Sequence, residues 1–443
     1  MRELFYIYKK LKIMLVYKFG GGILRDSDGI VKMYEIVRAR VSGPLNQSLL
    51  LVVSALEKMT NAFEELWSDW VNGSDFSFSY GRIKAYHFGL ADTLFEDKSQ
   101  GKKILMSVFD DIDVILMGQA PENKNEAYDH LVCFGEILSS RLISAYFNQN
   151  SLEHTWLDAR EMICTDSFFR EGKVNWLETG IKVRERITND EQPTENNQEG
   201  RGKLWLTQGF IGADSNGKST TLGREGSDYS AAIFAYVLNA QEVVIWKDVP
   251  GVMTGDPVDF PEVVKLDQIS YLEAIEMSYF GAKVLHPNTI KPLQNKNIPL
   301  TIKPIGQPES DGTKVIKNPI ISVVKPVLII KSNQVLLSIQ PRDFSFVMEE
   351  ALSTVFAILA RYHLRVNLLQ HGAVSLSFCI DYHEDHLNSV VSDLVVDFKV
   401  LYNSGLELLT VRHYSPEVMD KLISGRKIYV QQQSRRTVRF VLS

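Results

Sequence analysis

IMLVYKFGGG, Ile13 to Gly22, is the stretch from which the rest of the chain is read. Ile13 to Phe19 is apolar or aromatic apart from Lys18, too continuous for a strand with one face in water, so it predicts a strand buried on both faces. Gly20, Gly21 and Gly22 then stop it. A glycine turn after a buried parallel strand presents consecutive backbone N–H groups to an anion, and a lysine at the strand end adds a full positive charge. A bare ammonium is costly to bury, so Lys18 needs a partner, either a protein carboxylate or a bound phosphate.

Outward from this stretch, strands and helices alternate. A helical pattern runs from about Ser27 to Arg40, then a strand Leu49 to Val53 ends at Ser54-Ala55, and helical segments continue to about Asn148. Strand signals return in Lys203 to Ile211, followed by a helix Asp228 to Asn239 and a strand Glu242 to Trp246. Helical stretches Tyr271 to Phe280 and Pro287 to Lys296 and a strand Leu300 to Ile302 complete the unit. Apolar strands alternating with helices predict an α/β fold, a three-layer arrangement in which a mainly parallel sheet is sandwiched by helices. Inside it, ITNDEQPTENNQEGRG, Ile187 to Gly202, has one apolar residue and reads as a mobile surface loop.

Past Val315 the segments shorten. Strands Val323 to Lys331 and Gln334 to Ile339, a helix Ser345 to Tyr362, and strands Arg365 to Leu369 and Val374 to Ile380 form one small α+β module. Leu406 to Arg412, Pro416 to Leu422, Ile428 to Gln432 and Thr437 to Leu442 repeat the strand, helix, strand, strand order, and this copy lacks a later helix and strand. The expected division is an N-terminal extension 1–13, a large unit 14–312, a module 313–397 and a shortened second module 398–443.

Composition limits the function classes. Of 443 residues, 45% are hydrophobic and 23% charged, which suits a globular chain and excludes a disordered or collagenous one. A formal charge of -6 has the wrong sign for a protein that wraps nucleic acid. No apolar run approaches the roughly 20 residues that span a bilayer, so no membrane partner is expected. The start, MRELFYIYKKLK, lacks a long apolar core and a small-residue cleavage site. Cys133, Cys164 and Cys379 are odd in number and far apart, giving neither a disulfide framework nor a CxxC site; a reducing cytoplasm is expected. No histidine pair has ligand spacing, and no protein-built metal site is expected.

Five further segments carry chemistry. Gly212 to Ser219 spells GxxxxGK[ST], but Thr220, Thr221, Gly223 and Gly226 follow where a phosphate-binding helix would have to start. Each glycine there costs about 1 kcal/mol relative to alanine, so Asp214-Ser-Asn-Gly217 reads as a polar turn between strands. Arg224, on a glycine-flanked loop before a helix, suits a carboxylate or phosphate; Ser227 or Asp228 would cap that helix, and Asp228 could equally orient Lys18. Gly135-Glu136 sits where an apolar helix is expected to begin. Trp246-Lys247-Asp248 ends a strand, where ligands of open α/β sheets bind. Lys283, in FGAKVLHP, lies between two helices.

Taken in order, KFGG (Lys18 to Gly21), VVSALEKMTN (Val52 to Asn61), GEILSS (Gly135 to Ser140), TLGREGSDYSAA (Thr221 to Ala232), DVPGVMTGDP (Asp248 to Pro257) and FGAKVLHPNTI (Phe280 to Ile290) resemble aspartate kinases of the amino-acid kinase family. The resemblance covers about Met14 to Pro304 and implies that family's fold, followed by ACT-like, ferredoxin-like regulatory modules. It implies transfer of the ATP γ-phosphoryl group to the β-carboxylate of L-aspartate, the entry to lysine, threonine and methionine synthesis, with Mg²⁺ carried by ATP. Lys18 and the Gly20 and Gly21 amides would bear on the transferred phosphoryl group, and Asp228 would hold Lys18. Arg224 would take the substrate's α-carboxylate, Glu136 its ammonium, and Thr60 and Ser227 would fix it by hydrogen bonds. Lys247, Asp248 and Met253 would face the nucleotide, and Lys283 and Val284 its phosphates. The resemblance also implies a homodimer, an end-product effector such as lysine or threonine, and a single activity, 443 residues leaving no room for the homoserine dehydrogenase fused to some relatives.

The chain departs from the family pattern at several points. Gly22-Ile23 stand where Thr-Ser is usual, Glu225 where glycine is, Lys247 where threonine is, Met253 where an aromatic is common, and Val258 where arginine is. These raise two alternatives: a catalytically weakened amino-acid sensor, and a kinase for another amino-acid carboxylate.

Overall fold

Every residue of β1 (Met14–Phe19) is buried, Lys18 included. The computed structural model describes residues 14–43, 47–190, 203–282, 285–320, 324–342 and 349–443. The chain divides into two units, the first comprising the described residues of Met1–Val252, Leu266–Ile275 and Val284–Ile320. After β1 come α1 (Ser27–Val41), β2 (Ser48–Val53), α2 (Met59–Val71), α3 (Ser77–Leu94), α4 (Lys98–Met117), α5 (Lys124–Gln149), β3 (Thr155–Leu157) and α6 (Trp176–Asp190). Then follow β4 (Leu204–Gln208), β5 (Ile211–Ala213), β6 (Ser219–Thr221), α7 (Gly226–Leu238), β7 (Glu242–Lys247), β8 (Gln268–Ser270), α8 (Tyr271–Phe280), α9 (Pro287–Lys296), β9 (Leu300–Pro304) and β10 (Thr313–Ile316).

The main sheet has the order β3-β4-β2-β1-β7-β9-β10-β8, parallel from β3 to β9, with β10 antiparallel to β9. Alternate side chains of a strand leave by opposite faces. Leu15, Tyr17 and Phe19, with Leu49, Leu51 and Val53, enter a core shared with Met33, Phe63, Phe109 and Leu138 from α1, α2, α4 and α5. The other face of β1 is covered by α7, which α6 and α9 flank. Lys18 shares that second face with Val16. The alternation of sequence thus aims the one charged residue of β1 at the helix that carries Asp228. Of the expected mobile loop, Ile187 to Asp190 is instead the last part of α6, and the rest lies outside the described residues.

The GxxxxGK[ST] stretch forms the β5–β6 hairpin. Asp214 accepts hydrogen bonds from the N–H groups of Asn216 and Lys218 at 2.9 and 3.0 Å, and Gly217 has φ 76, so the segment is a turn with no helix behind it. β10, which the division at residue 312 assigned to the small modules, extends the first sheet.

The second unit comprises Met253–Lys265, Glu276–Lys283 and Ile321–Ser443. Its elements are β11 (Val327–Pro341), α10 (Glu349–Arg361), β12 (Val366–His371), β13 (Leu376–Asp381), α11 (Glu384–Val395), β14 (Phe398–Arg412), α12 (Pro416–Ile423), β15 (Ile428–Gln433) and β16 (Thr437–Leu442), in one antiparallel sheet of order β12-β13-β11-β14-β16-β15. Val323 to Lys331 and Gln334 to Ile339 were expected as separate strands; from Val327 they are one strand, with irregular register near Asn333, where φ is 58. Its second half pairs with β13 and the first half of β14, beneath a core that includes Val355, Leu359, Leu387 and Leu394 of α10 and α11. Its first half, Val327 to Lys331, pairs with Leu408 to Arg412. This half supplies the second module with the strand that the sequence order alone leaves out.

Candidate functional site

Register aligns the carboxyl ends of the central strands: Thr207 of β4 lies beside Val52, Val52 beside Lys18, and Lys18 beside Ile245 of β7. β2 and β7 flank β1 on opposite sides, which makes β1 the topological switch point where open α/β sheets bind ligands. There Lys18 Nζ lies 2.5 Å from Asp228 Oδ1, with the two side chains 10% and 5% exposed. The contact is an ion pair and not an aligned hydrogen bond. Lys247 Nζ is 3.9 Å from the other oxygen of the same carboxylate. Burial acting alone would raise the Asp228 pKa; Lys18 first and Lys247 second outweigh it and hold the group below the ordinary carboxylate range.

The glycine turn lies alongside this pair. A Cβ on Gly20 would stand 3.3 Å from the Lys18 ammonium, and one on Gly21 would stand 2.2 Å from the Ala55 carbonyl oxygen, an overlap no side chain tolerates. The Glu57 N–H donates to the Gly21 carbonyl at 2.9 Å, tying the turn to the loop after β2. Gly22, by contrast, has open space around its Cβ position.

Glu136 lies well inside α5 and not at a helix start, which removes the expectation of an ordinary N-terminal charge. It is 3% exposed, and its Oε2 has no hydrogen-bond partner. Burial pushes its pKa up to about 8, against the pull of Lys18 and of a hydrogen bond from the Ala55 backbone. An orphaned acceptor in so buried a place is rare and calls for a ligand that donates to it.

On α7 the expected cap is displaced. The helix starts at Gly226, with Glu225 at the N-cap position in the left-handed region, φ 54, and no side-chain cap. Ser227 and Asp228 lie in its first turn, Asp228 drawn to Lys18, and Ser227 packed so closely on Gly209 that a Cβ there would meet it at 2.5 Å. Arg224 precedes them, exposed and without a carboxylate partner among the described residues. Thr60 is half-buried in the first turn of α2, and Asp248 is exposed just past β7. Met253 belongs to the second unit, where its backbone bridges to Lys265. Lys283 and Val284 lie outside the described residues.

The structure therefore brings Lys18, Gly20, Gly21, Glu136, Lys247 and Asp228 together, with Ser227 one residue away on α7. Sequence reading passed over Asp129, Arg170 and Phe210. Arg170 and Phe210 have φ of 71 and 69, a conformation that local sequence does not announce. Asp129 left a visible signal, an acid seven residues before Glu136 within an otherwise apolar helical stripe.

The model of the amino acid kinase family matches residues 14–304, the span that includes β1, the glycine turn and α7. The chain belongs to the amino acid kinase family. Within it, the chain is 31% identical over 372 residues to the lysine-sensitive aspartokinase 3 of Escherichia coli, covering 83% of this chain and 78% of that one. It is 30% identical to the chloroplastic aspartokinase 1 of Arabidopsis thaliana, over 83% of this chain and 63% of that one. The structure of Escherichia coli aspartokinase III with lysine and aspartate superposes with a TM-score of 0.79 at 26% identity, covering 97% of this chain and 95% of that one. The same enzyme with aspartate and ADP gives 0.78 over 97% of this chain. The antiparallel sheet of the second unit falls within the matched span, so the kinase fold followed by small α+β modules is that of the aspartokinases. Two departures from the family pattern now have a physical meaning. A left-handed residue 225 explains why glycine is usual there, and Val258, 90% exposed, leaves an apolar side chain in water where the family places a charge.

Proposed function

We propose that the protein is an aspartate kinase, transferring the γ-phosphoryl group of ATP to the β-carboxylate of L-aspartate. The observation that carries the reading is the orphaned, buried Glu136 beside the Lys18–Asp228 pair and the glycine turn. A zwitterionic substrate needs one fixed anion for its ammonium and one fixed cation for its α-carboxylate. Glu136 is the anion and Arg224 the cation, with Thr60 and Ser227 as hydrogen-bonding groups.

The acceptor carboxylate has an ordinary pKa near ~3.9 and is already ionised at neutral pH, so no general base is required. One of its oxygens attacks the γ-phosphorus in line, a P–O bond forms, and the bond to the leaving ADP oxygen breaks. The chain's task is to bring two anions together and spread the charge that develops. Lys18 neutralises the equatorial oxygens, Asp228 keeps the Lys18 ammonium in place, and the Gly20 and Gly21 amides face the same group. Lys247, sharing Asp228, adds a second cation on the nucleotide side. Magnesium, as the nucleotide's own counter-ion, would supply further charge neutralisation. The nucleotide roles of Asp248, Met253, Lys283 and Val284 rest on the family resemblance.

Lysine is proposed as the effector ahead of threonine, since the bacterial relative is described as lysine-sensitive. A homodimer and a cytoplasmic location complete the reading. No helix among the described residues is long and apolar enough to cross a membrane. The test is phosphoryl transfer to aspartate with the acyl phosphate trapped by hydroxylamine, beside glutamate and N-acetylglutamate. Hydroxamate from aspartate is expected. Binding of both substrates without product would favour a sensor instead, and product from another acceptor would change the substrate.

A further inference from the structure

Asp129 is a buried carboxylate that the chemistry above does not use. It lies on α5, fully buried, and no lysine or arginine lies within ion-pair distance of it among the described residues. Its hydrogen bonds go to two segments, the loop that carries Arg170 and the end of β6, which leads into the loop that carries Arg224. Oδ2 accepts the backbone N–H of Arg170 and that of Thr221, each at 2.9 Å, and Oδ1 accepts the Thr221 hydroxyl at 2.7 Å.

The two segments are also joined to each other. The Gly172 N–H donates to the Thr221 carbonyl at 2.9 Å, and Glu171 bridges to Leu222. The Arg170 guanidinium stacks 4.0 Å from the ring centre of Tyr128, the neighbour of Asp129 on α5, so Arg170 is gripped through both its amide and its side chain. Gly223 follows with φ 74, where a Cβ would stand 3.2 Å from Glu171 Cγ. Next comes Arg224. The segment that carries Arg224 is thus anchored to α5 three residues upstream of the arginine.

Glu136 lies on the same helix. Seven residues are about two helical turns, so Asp129 and Glu136 share one face of α5 about 10 Å apart along its axis. Both are buried, at 0% and 3% exposure. A single rigid helix therefore holds the proposed ammonium site directly and the proposed carboxylate site through Asp129.

We propose that Asp129 is a positioning residue that sets the separation of Arg224 from Glu136, and so selects a substrate whose ammonium and carboxylate share one α-carbon. This rests on the aspartate reading given above. Asp129 touches no substrate. A carboxylate suits the task because its Oδ2 accepts two backbone N–H groups at once and its Oδ1 a hydroxyl, whereas an alanine in its place leaves both N–H groups without their acceptor.

The experiment uses the full chain and compares wild type, Asp129→Ala and Thr221→Val by KM for aspartate, KM for ATP, kcat and melting temperature. Thr221→Val keeps the backbone bond and removes only the hydroxyl bond. Asp129→Ala is expected to raise KM for aspartate by about tenfold or more while KM for ATP stays within about twofold, since small misplacements of a binding group are costly. Thr221→Val should shift KM for aspartate in the same direction by about threefold. A merely structural role would lower the melting temperature and the active fraction with both KM values unchanged, and that result overturns the proposal. If Asp129→Ala does not fold, an unchanged KM for aspartate in Thr221→Val overturns it as well. Wild-type protein that binds aspartate by calorimetry without phosphorylating it sinks the kinase reading alone; the ratio of variant to wild-type dissociation constants then decides the role of Asp129. Wild-type protein that does not bind aspartate overturns both.

Discussion

The proposed aspartate side and the proposed nucleotide side of the site are built differently. On the proposed aspartate side, Glu136 and Ser227 are buried, the Arg224 segment is tied through Thr221 to a fully buried carboxylate, and the glycine at 209 is enforced by close approach. On the proposed nucleotide side, Asp248 is exposed and Gly22 has free space around it. The departures from the family pattern fall mostly on this second side. Where packing over-determines a residue, substitution is costly; where a side chain only reaches toward solvent, it can change at little cost. Lys18 belongs to both sides, and its loss should have the largest effect. Lys18→Ala should lower kcat by about 10²–10³-fold, the scale of removing one charge-stabilising donor, with KM for aspartate changed only a few-fold. Steady-state kinetics check this, and an unchanged kcat would remove Lys18 from the transition state.

The aspartate side can next be probed through pH. Glu136, with its pKa pushed up to about 8 by burial, holds a proton in the free enzyme at neutral pH, yet must be ionised to receive an ammonium. The sign follows: below about 8 the competent fraction falls about tenfold per pH unit. KM for aspartate should therefore drop as pH rises from about 6.5 to 8 and then level, while kcat at saturating aspartate stays flat across the same range. In Glu136→Gln that slope should vanish and KM should rise by about 10–100-fold, the worth of a charge-assisted hydrogen bond. A slope that persists in Glu136→Gln would belong to another group.

The contrast between the two sides also governs what could be read without coordinates. β1, the glycine turn and the alternation of apolar strands with helices were legible because burial on both faces leaves a run such as Leu49 to Val53 that solvent-facing strands do not show. α8 and α9 were found with their observed bounds. α11 was not, although Leu387, Val390, Val391 and Leu394 have helical spacing, because His383 to His386 and Asp397 gave the segment a polar, loop-like appearance. That Lys18 needs a partner was anticipated from the cost of burying a lone ammonium, and Asp228 as that partner from the family resemblance. Asp129 was not, because its partners are backbone groups far away in sequence. Nor was the strand exchange in the second unit, where β11 serves both modules; register between distant strands is a tertiary property that a local pattern does not encode.

Lys247→Thr restores the usual residue on the permissive side. Lys247 is 27% exposed and 3.9 Å from Asp228, so solvent screens it and its contribution is on the order of 1 kcal/mol at most. KM for ATP should rise by about three- to fivefold with KM for aspartate unchanged. A fall in KM for ATP would show that threonine is the better nucleotide contact and that the second lysine offsets nothing.

The smallest effect is expected at the border of the two sides. Glu225 holds φ 54, a conformation that costs a residue with a Cβ about 1–2 kcal/mol. Glycine takes back about 0.5–1 kcal/mol through its greater freedom in the unfolded chain, so Glu225→Gly should stabilise the protein by about 0.5–1 kcal/mol in denaturant unfolding. The same change removes an exposed negative charge next to Arg224, the group proposed to receive the substrate's carboxylate. In high dielectric that charge is worth a fraction of a kcal/mol, which corresponds to a KM for aspartate lower by about twofold. The two readouts separate the causes, because backbone relief alone raises stability and leaves KM where it was, whereas a lower KM that disappears in high salt identifies the charge of Glu225 acting on Arg224.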